Sequence, residues 1–343
     1  MTRSGWGILS ALASAGLLGL TPIFGKLAIR AGVAPVAVVA LRTALAMLLM
    51  LLVILVFQRR SLYIYGAGLL GCLLAGSING FGSLLFYSGL ARLDASLASM
   101  LYALYPLFVA VLSVLDGFRP SRLTWLRLSL ALPAVLLLTR SGFSGADWIG
   151  AGLMLGASLM YALHLVANQH VLYDMPAPTV TLYTLVAMTL VVAPFGAAPW
   201  LSGGLLAGQG EAERAAWGPL LALTAVTFLS RLAVFFGVKR LGGLQTAMLG
   251  LGELVVTVVI AQLWLGDRLT AGQWAGSAIL LASLALVGFE PAQTHSAVNI
   301  GWLRWIRPPQ PNLPPDVEDA GEVTRVAKLV IASGDTTHKK AKA

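Results

Sequence analysis

The first 289 positions of the chain are nearly continuous apolar segments, broken only by short polar loops. A helix that crosses a bilayer needs about 20 apolar residues in a row. Ten segments meet that length and are predicted as spans: 5–29, 35–57, 65–90, 95–115, 122–139, 148–170, 178–198, 217–238, 244–265 and 271–289. Segment 122–139 is the shortest and carries Arg127. At Glu290 the pattern stops. The run from Arg307 to Pro315 is too rich in proline for a regular helix and reads as an extended linker. Before it, Trp302, Arg304, Trp305 and Arg307 mix indole and guanidinium as interfacial segments do, which places 300–307 on the membrane surface.

Composition sharpens this picture. Hydrophobic residues make up 58% of the 343 and charged residues 11%, with mean hydropathy +0.83. Soluble globular chains carry about 25% charged residues. A soluble enzyme, a disordered chain and a fibre are therefore excluded, and the fold class is all-α polytopic membrane protein with the lipid bilayer as its main solvent. Cys72 is the single cysteine, which excludes a disulfide scaffold. No Cys/His pair has metal-ligand spacing, so neither a metal nor another cofactor is expected.

The net charge of +9 is explained by orientation in the bilayer rather than by nucleic acid. The tail after residue 289 is almost neutral, with 7 Lys/Arg against 6 Asp/Glu. Ten spans put both termini on one side. The loops and ends there hold nine basic residues (Arg3, Arg59, Arg60, Arg119, Arg122, Lys239, Arg240, Arg304 and Arg307). The other side has five: Arg30, Arg92, Arg140, Arg214 and Arg268. The excess predicts both termini in the cytoplasm, in a multi-pass protein of the cell inner membrane. An A-x-A pattern between Ala11 and Ala15 falls inside the first apolar run rather than after it, so no signal cleavage is expected.

The apolar part repeats itself. Ala91-Arg92-Leu93 through Met100-Leu101 aligns with Lys239-Arg240-Leu241 through Met248-Leu249, and Phe86-Tyr87-Ser88-Gly89 falls on Val234-Phe235-Phe236-Gly237. Gly7 falls on Gly150 and Pro35 on Pro178. The repeating unit is five spans, in 5–139 and 148–289. An odd number makes the second copy enter the membrane inverted, a hallmark of secondary transporters.

Three stretches also carry a family resemblance. They are Phe86 through Ala98 with Pro106-Leu107-Phe108, Leu265-Gly266-Asp267-Arg268-Leu269-Thr270-Ala271-Gly272-Gln273-Trp274-Ala275-Gly276, and Leu41-Arg42 with the apolar run behind it. In these the chain resembles the EamA-type transporters of the drug/metabolite transporter superfamily. It departs at Asp116-Gly117-Phe118-Arg119-Pro120, where the family usually has Gly-Glu, and at Leu254, where many members have proline. The resemblance implies ten transmembrane helices as two inverted five-helix halves around a central cavity, lined by helices 1, 3, 4, 6, 8 and 9. It also implies export or exchange of a small metabolite or drug.

An ionisable side chain at a helix centre costs about 2.5–3.5 kcal/mol on insertion scales, so it normally faces a cavity or a partner. Glu253 is the one acid clearly inside an apolar span, about 13 Å along it at the helical rise per residue. Arg231 has a similar depth on the preceding, antiparallel span. Either the two form a structural ion pair, or Glu253 is a substrate or proton site. Arg42, about 10 Å from its span's end, either packs between helices or binds substrate. Asn79 stands among small residues in Ser77–Gly82, and His164 follows Tyr161; both are candidates for the pathway. Lys26, near the end of its span, is expected to reach the interface.

Pro106 breaks the fourth span beside Tyr102 and Tyr105, and Gly250 and Gly252 stand at the matching place in the second copy. Paired interruptions of this kind point to a transporter site, making Pro106, Gly250 and Gly252 candidate hinges and the two tyrosines candidate substrate contacts. The sequence has no GxSxG, no Walker A and no reactive constellation within helical reach, so no enzyme is expected. With no ATP drive, energy must come from a proton or ion gradient or from exchange. A small-molecule substrate, protons as coupling ion and a second copy of the chain are the candidate partners. The other reading kept open is a membrane receptor or scaffold without transport activity.

Overall fold

In this computed structural model the described residues are 3–115, 147–171, 176–201, 211–241 and 252–286, with isolated positions between 122 and 137. The predicted fifth span therefore falls largely outside the described residues, as do Gly250 and the whole tail after 286. Among the described residues the regular structure is helical: α1 (Arg3–Arg30), α2 (Pro35–Phe57), α3 (Gly66–Arg92), α4 (Ala95–Tyr102), α5 (Tyr105–Leu115), α6 (Trp148–Val171), α7 (Ala177–Leu201), α8 (Glu211–Leu241), α9 (Gly252–Ile260) and α10 (Ala271–Ala285). A 3-10 turn covers Arg59–Leu62, and α9 widens into a π turn over Ala261–Leu265.

Among the described residues four helical stretches are long and apolar enough to cross a membrane: Pro35–Phe57, Gly66–Arg92, Trp148–Leu165 and Pro178–Ala197. Ten crossings were expected. Several remaining stretches are shorter when taken over described residues alone, such as Ala215–Ser230 and Glu253–Leu265. Large apolar side chains face outward, with Leu48, Leu52, Leu55, Val56 and Phe57 exposed along α2 and Leu263 and Trp264 at the end of α9. Water would penalise such a surface; hydrocarbon does not.

Small residues hold the interior together, as helix contacts in lipid require. A Cβ on Gly76 of α3 would lie 2.5 Å from the Thr184 carbonyl oxygen of α7, and one on Gly19 of α1 would lie 2.7 Å from the Glu253 carbonyl oxygen. Thr257 Oγ1 uses the second approach to donate to Gly19 O at 2.8 Å. The heaviest packing joins early helices to late ones. α1 packs chiefly on α8 and α9, α2 on α7, and α3 on α6 and α7.

The predicted break in the fourth span lies slightly earlier than proline alone suggests. α4 ends at Tyr102, Ala103 and Leu104 form a turn, and Pro106 stands in the first turn of α5. Proline is tolerated there because a first-turn N–H lacks a helical acceptor anyway. The missing N–H would have served Tyr102 O, four residues back. Ser158 Oγ of α6 serves it instead, at 2.9 Å.

Candidate functional site: a central cavity with unpartnered polar atoms

One end of the bundle is closed by charge-to-backbone contacts. Lys26, 7% exposed, donates from Nζ to Leu90 O and Leu93 O, both at 2.7 Å, capping the C-terminus of α3. The expectation that it would reach the interface is therefore not met, because the end of α3 lies alongside. Arg30 Nη1 donates to Leu265 O at 3.1 Å. The left-handed Gly266 (φ 74°) ends the π turn and sets Asp267 against the start of α4. Asp267 Oδ2 accepts from Ser96 N at 3.0 Å and Ser96 Oγ at 3.1 Å, capping α4 where the side chain of Asp94 makes no capping bond.

Beside this cluster, Asp147 Oδ1 caps α6 through Gly150 N–H at 2.9 Å, and Asp147 Oδ2 pairs with Arg92 Nη1 at 3.0 Å. The Gly150 N–H first, and the Arg92 guanidinium second, hold the Asp147 carboxyl below its ordinary pKa. At the other end, Thr179 Oγ1 and Tyr183 OH of α7 donate to Ser61 O and Leu62 O at 2.8 and 2.7 Å. Each of these contacts joins loops or helix ends that the charge count assigns to one side.

Between the ends lies a cavity of about 140 Å³. Of the sequence candidates, Arg42, Asn79, Tyr102, Tyr105 and Glu253 line it. The lining comes from all six of the helices that the family resemblance implies. It also takes in Arg42 and Thr43 from α2 and Leu185 and Met188 from α7. Glu253 lies on α9. Gly252 begins α9. Arg231 is part of α8, but its side chain, like that of Pro106 and all of Gly250, lies outside the described residues.

His164 is placed differently from the other candidates. It is 3% exposed and absent from the lining, with Nδ1 2.9 Å from Ala75 O of α3. A carbonyl only accepts, so Nδ1 carries the proton. Its ring stacks against Tyr161, centroids 5.9 Å apart, and Tyr161 does line the cavity.

Sequence reasoning passed over much of the lining. Phe86 and Tyr87 of α3, Tyr102, Tyr105 and Tyr161 form one aromatic wall. Phe86–Tyr102 and Tyr105–Tyr161 centroids are each 4.9 Å apart and Tyr102–Tyr161 5.4 Å. Tyr161, three residues before His164, was within reach of the same helical spacing argument. Tyr87, 1% exposed, lies under the Arg42 guanidinium, whose Cζ is 5.1 Å from the ring centroid.

Hydrogen bonding divides the lining in two. Thr43, Thr227, Ser230 and Thr257 each donate to a backbone carbonyl. Thr21 Oγ1, Arg42 Nε, Tyr87 OH and Ser99 Oγ are buried and have no hydrogen-bond partner among the described residues, and all four residues line the cavity. An unsatisfied buried polar group costs about 1–3 kcal/mol, so four around one space mark a place where something else binds.

Comparison with known proteins agrees with this geometry. The profile of the EamA-like transporter family matches residues 5–140 and again residues 148–289. The chain is 28% identical over 197 residues to the uncharacterized transporter YcbK of Bacillus subtilis, across 54% of this chain and 61% of that protein. It is 24% identical over 229 residues to the uncharacterized transporter sll1319 of Synechocystis, across 63% of this chain and 65% of that one. The matches thus span somewhat under two thirds of these relatives' lengths. A crystal structure at 18% identity has the same fold, with TM-score 0.57, covering 83% of this chain and 96% of that one. On the double profile match, the chain belongs to the EamA-like transporter family.

Proposed function

We propose that the protein is a secondary transporter that moves a small organic solute across the cell inner membrane by alternating access, as an exporter or exchanger. Its membrane part is ten crossings in two inverted halves, 5–139 and 148–289, with both termini cytoplasmic and the tail from 290 outside the bundle. The central cavity is the transport site and Glu253, with Arg231 on the neighbouring helix, is its proton-linked group. His164 positions the Tyr161 wall rather than touching solute.

The observation that carries this reading is the set of four unpartnered polar atoms around one cavity, midway along the helices. The contacts of Lys26, Arg30 and Asp267 support a state in which the outer end is closed. Opening would require them to break. Matching halves of opposite orientation would give a second state of similar energy.

The test is uptake into proteoliposomes, screened with amino acids, nucleotide precursors and cationic drugs, with and without a pH gradient. Ser83→Trp fills the cavity from a partly exposed lining position and should abolish uptake in folded protein. Glu253→Gln should insert normally, transport slowly and lose its pH dependence. Wild-type uptake by folded Ser83→Trp would remove the cavity as the path, and a wild-type pH profile in Glu253→Gln would remove Glu253 as the proton site.

A further inference from the structure

We infer that the cavity is built for a compact aromatic monocarboxylate, held with its carboxylate against Arg42 and Tyr87 and its ring against the wall of Phe86, Tyr102, Tyr105 and Tyr161; this rests on the cavity being the transport site. Three observations carry it.

The first is the chemistry of the unpartnered atoms. Arg42 Nε can only donate a hydrogen bond, and the hydroxyls of Thr21, Tyr87 and Ser99 can each donate one. No acceptor-only atom is among the four. Arg42 Nε needs an acceptor, and each hydroxyl can donate to one, so a ligand with clustered acceptors fits all four. Tyr87 and Ser99 are buried, at 1% and 7% exposed.

The second is charge. Among the described lining residues the ionisable acid is Glu253 and the permanent cation is Arg42. Glu253 has an interaction of its own. The Arg42 guanidinium rests on the face of Tyr87 and leaves its Nε edge without a protein acceptor. A planar carboxylate matches a guanidinium edge better than any other common anion of single charge, and a charge-assisted bond is roughly twice as strong as a neutral one. One guanidinium suits one negative charge, which argues against a dianion such as a phosphate monoester.

The third is shape. Four of the five aromatic rings, Phe86, Tyr102, Tyr105 and Tyr161, form a connected wall with neighbouring centroids 4.9–6.0 Å apart. A ring slotted against such a wall gains edge-to-face and offset contacts. At about 140 Å³ the cavity is close to the size that holds a single benzene in an engineered protein interior, so the ligand is small.

The experiment measures dissociation constants by calorimetry on the full chain purified in detergent. The probes are benzoate, benzamide, benzylamine and inorganic phosphate. Benzoate should bind at least about tenfold more tightly than benzamide, which has its size without the charge, and than phosphate, which has charge without the ring. Tyr87→Phe should weaken benzoate about tenfold and leave benzamide much less affected. Arg42→Met should erase the preference for benzoate. Arg42→Lys keeps the charge without the guanidinium edge and should retain part of it, which covers the case in which Arg42→Met does not fold.

Equal binding of benzoate and benzamide, a preference that is undiminished in Arg42→Met or Arg42→Lys, or no benzoate binding at all would each overturn the proposal. Ser83→Trp separates the two readings. If benzamide or benzylamine binds as tightly as benzoate or more so and Ser83→Trp excludes it, the carboxylate assignment falls and the cavity stands. If benzoate binds the wild type and Ser83→Trp equally, the ligand sits elsewhere and the transport-site reading falls as well.

Discussion

The closed end of the bundle and the central cavity are both lined with polar groups, yet they treat them in opposite ways. At the closed end four charged groups are bound to helix termini: Lys26 to the end of α3, Arg30 to the end of α9, Asp267 to the start of α4, Asp147 to the start of α6. In the cavity Arg42 Nε and three hydroxyls are held in place without a hydrogen-bond partner among the described residues. The first arrangement lowers the energy of this conformation. The second raises it unless water or a ligand supplies the bonds. A polar residue deep in a membrane protein therefore needs its partner identified before a role is assigned to it.

The comparison makes graded forecasts for stability, read as unfolding of the purified protein in detergent. Lys26→Ala removes two short charge-assisted bonds and strands two carbonyls, with an expected loss of about 3 kcal/mol. Asp267→Ala strands the Ser96 N–H and should cost about 2 kcal/mol, while Asp267→Asn keeps an acceptor and should recover part of that. Either variant with wild-type stability would mean the closed end is not held by these contacts. In the cavity, Tyr87→Phe and Ser99→Ala remove atoms that have nothing to lose. They should change stability without ligand by about 0.5 kcal/mol or less, or raise it. A cost near that of Asp267→Ala would show that these hydroxyls have protein partners after all.

The smallest effect belongs to the exposed pair. Because the Asp147 pKa is depressed in the fold, its contribution is complete above the ordinary carboxylate pKa of about 3.9 and disappears as pH falls through the lower folded value. Asp147→Asn should flatten that acid limb of a stability–pH curve and leave neutral pH nearly unchanged.

What was legible in the sequence was whatever depends on near neighbours. Apolar runs announce helices because hydropathy is a local property, and the observed ends of α1, α2, α3 and α6 differ from the predicted spans by two residues at most. The depths of Arg42 and Glu253 came from counting along one helix. Partners did not come this way. Asp267 caps a helix through Ser96, 171 residues earlier, and Lys26 meets carbonyls 64 and 67 residues on. No periodicity records such meetings. The same limit explains the cavity wall: Tyr102 and Tyr105 drew notice because Pro106 is beside them, whereas Tyr87 and Tyr161 reach the same space from other helices with no local mark. His164 stood out as a titratable group, but a buried imidazole can serve as an interhelical hydrogen-bond donor, and only its neighbour Ala75 O reveals that.

The pattern of helix neighbours also constrains how the molecule is made. The N-terminal helices leave the ribosome first, but α1 packs mainly on α8 and α9, and α2 and α3 on α6 and α7. Until roughly the last third of the chain has been synthesised, α1 lacks its main packing surface and has chiefly the end of α3, which Lys26 and Gly25 meet. The early helices must wait in lipid or beside the insertion machinery, then be clasped by later ones threaded between them. Two half-length polypeptides, cut in the loop before Trp148 and expressed together, should therefore assemble, while neither alone should accumulate as a folded protein.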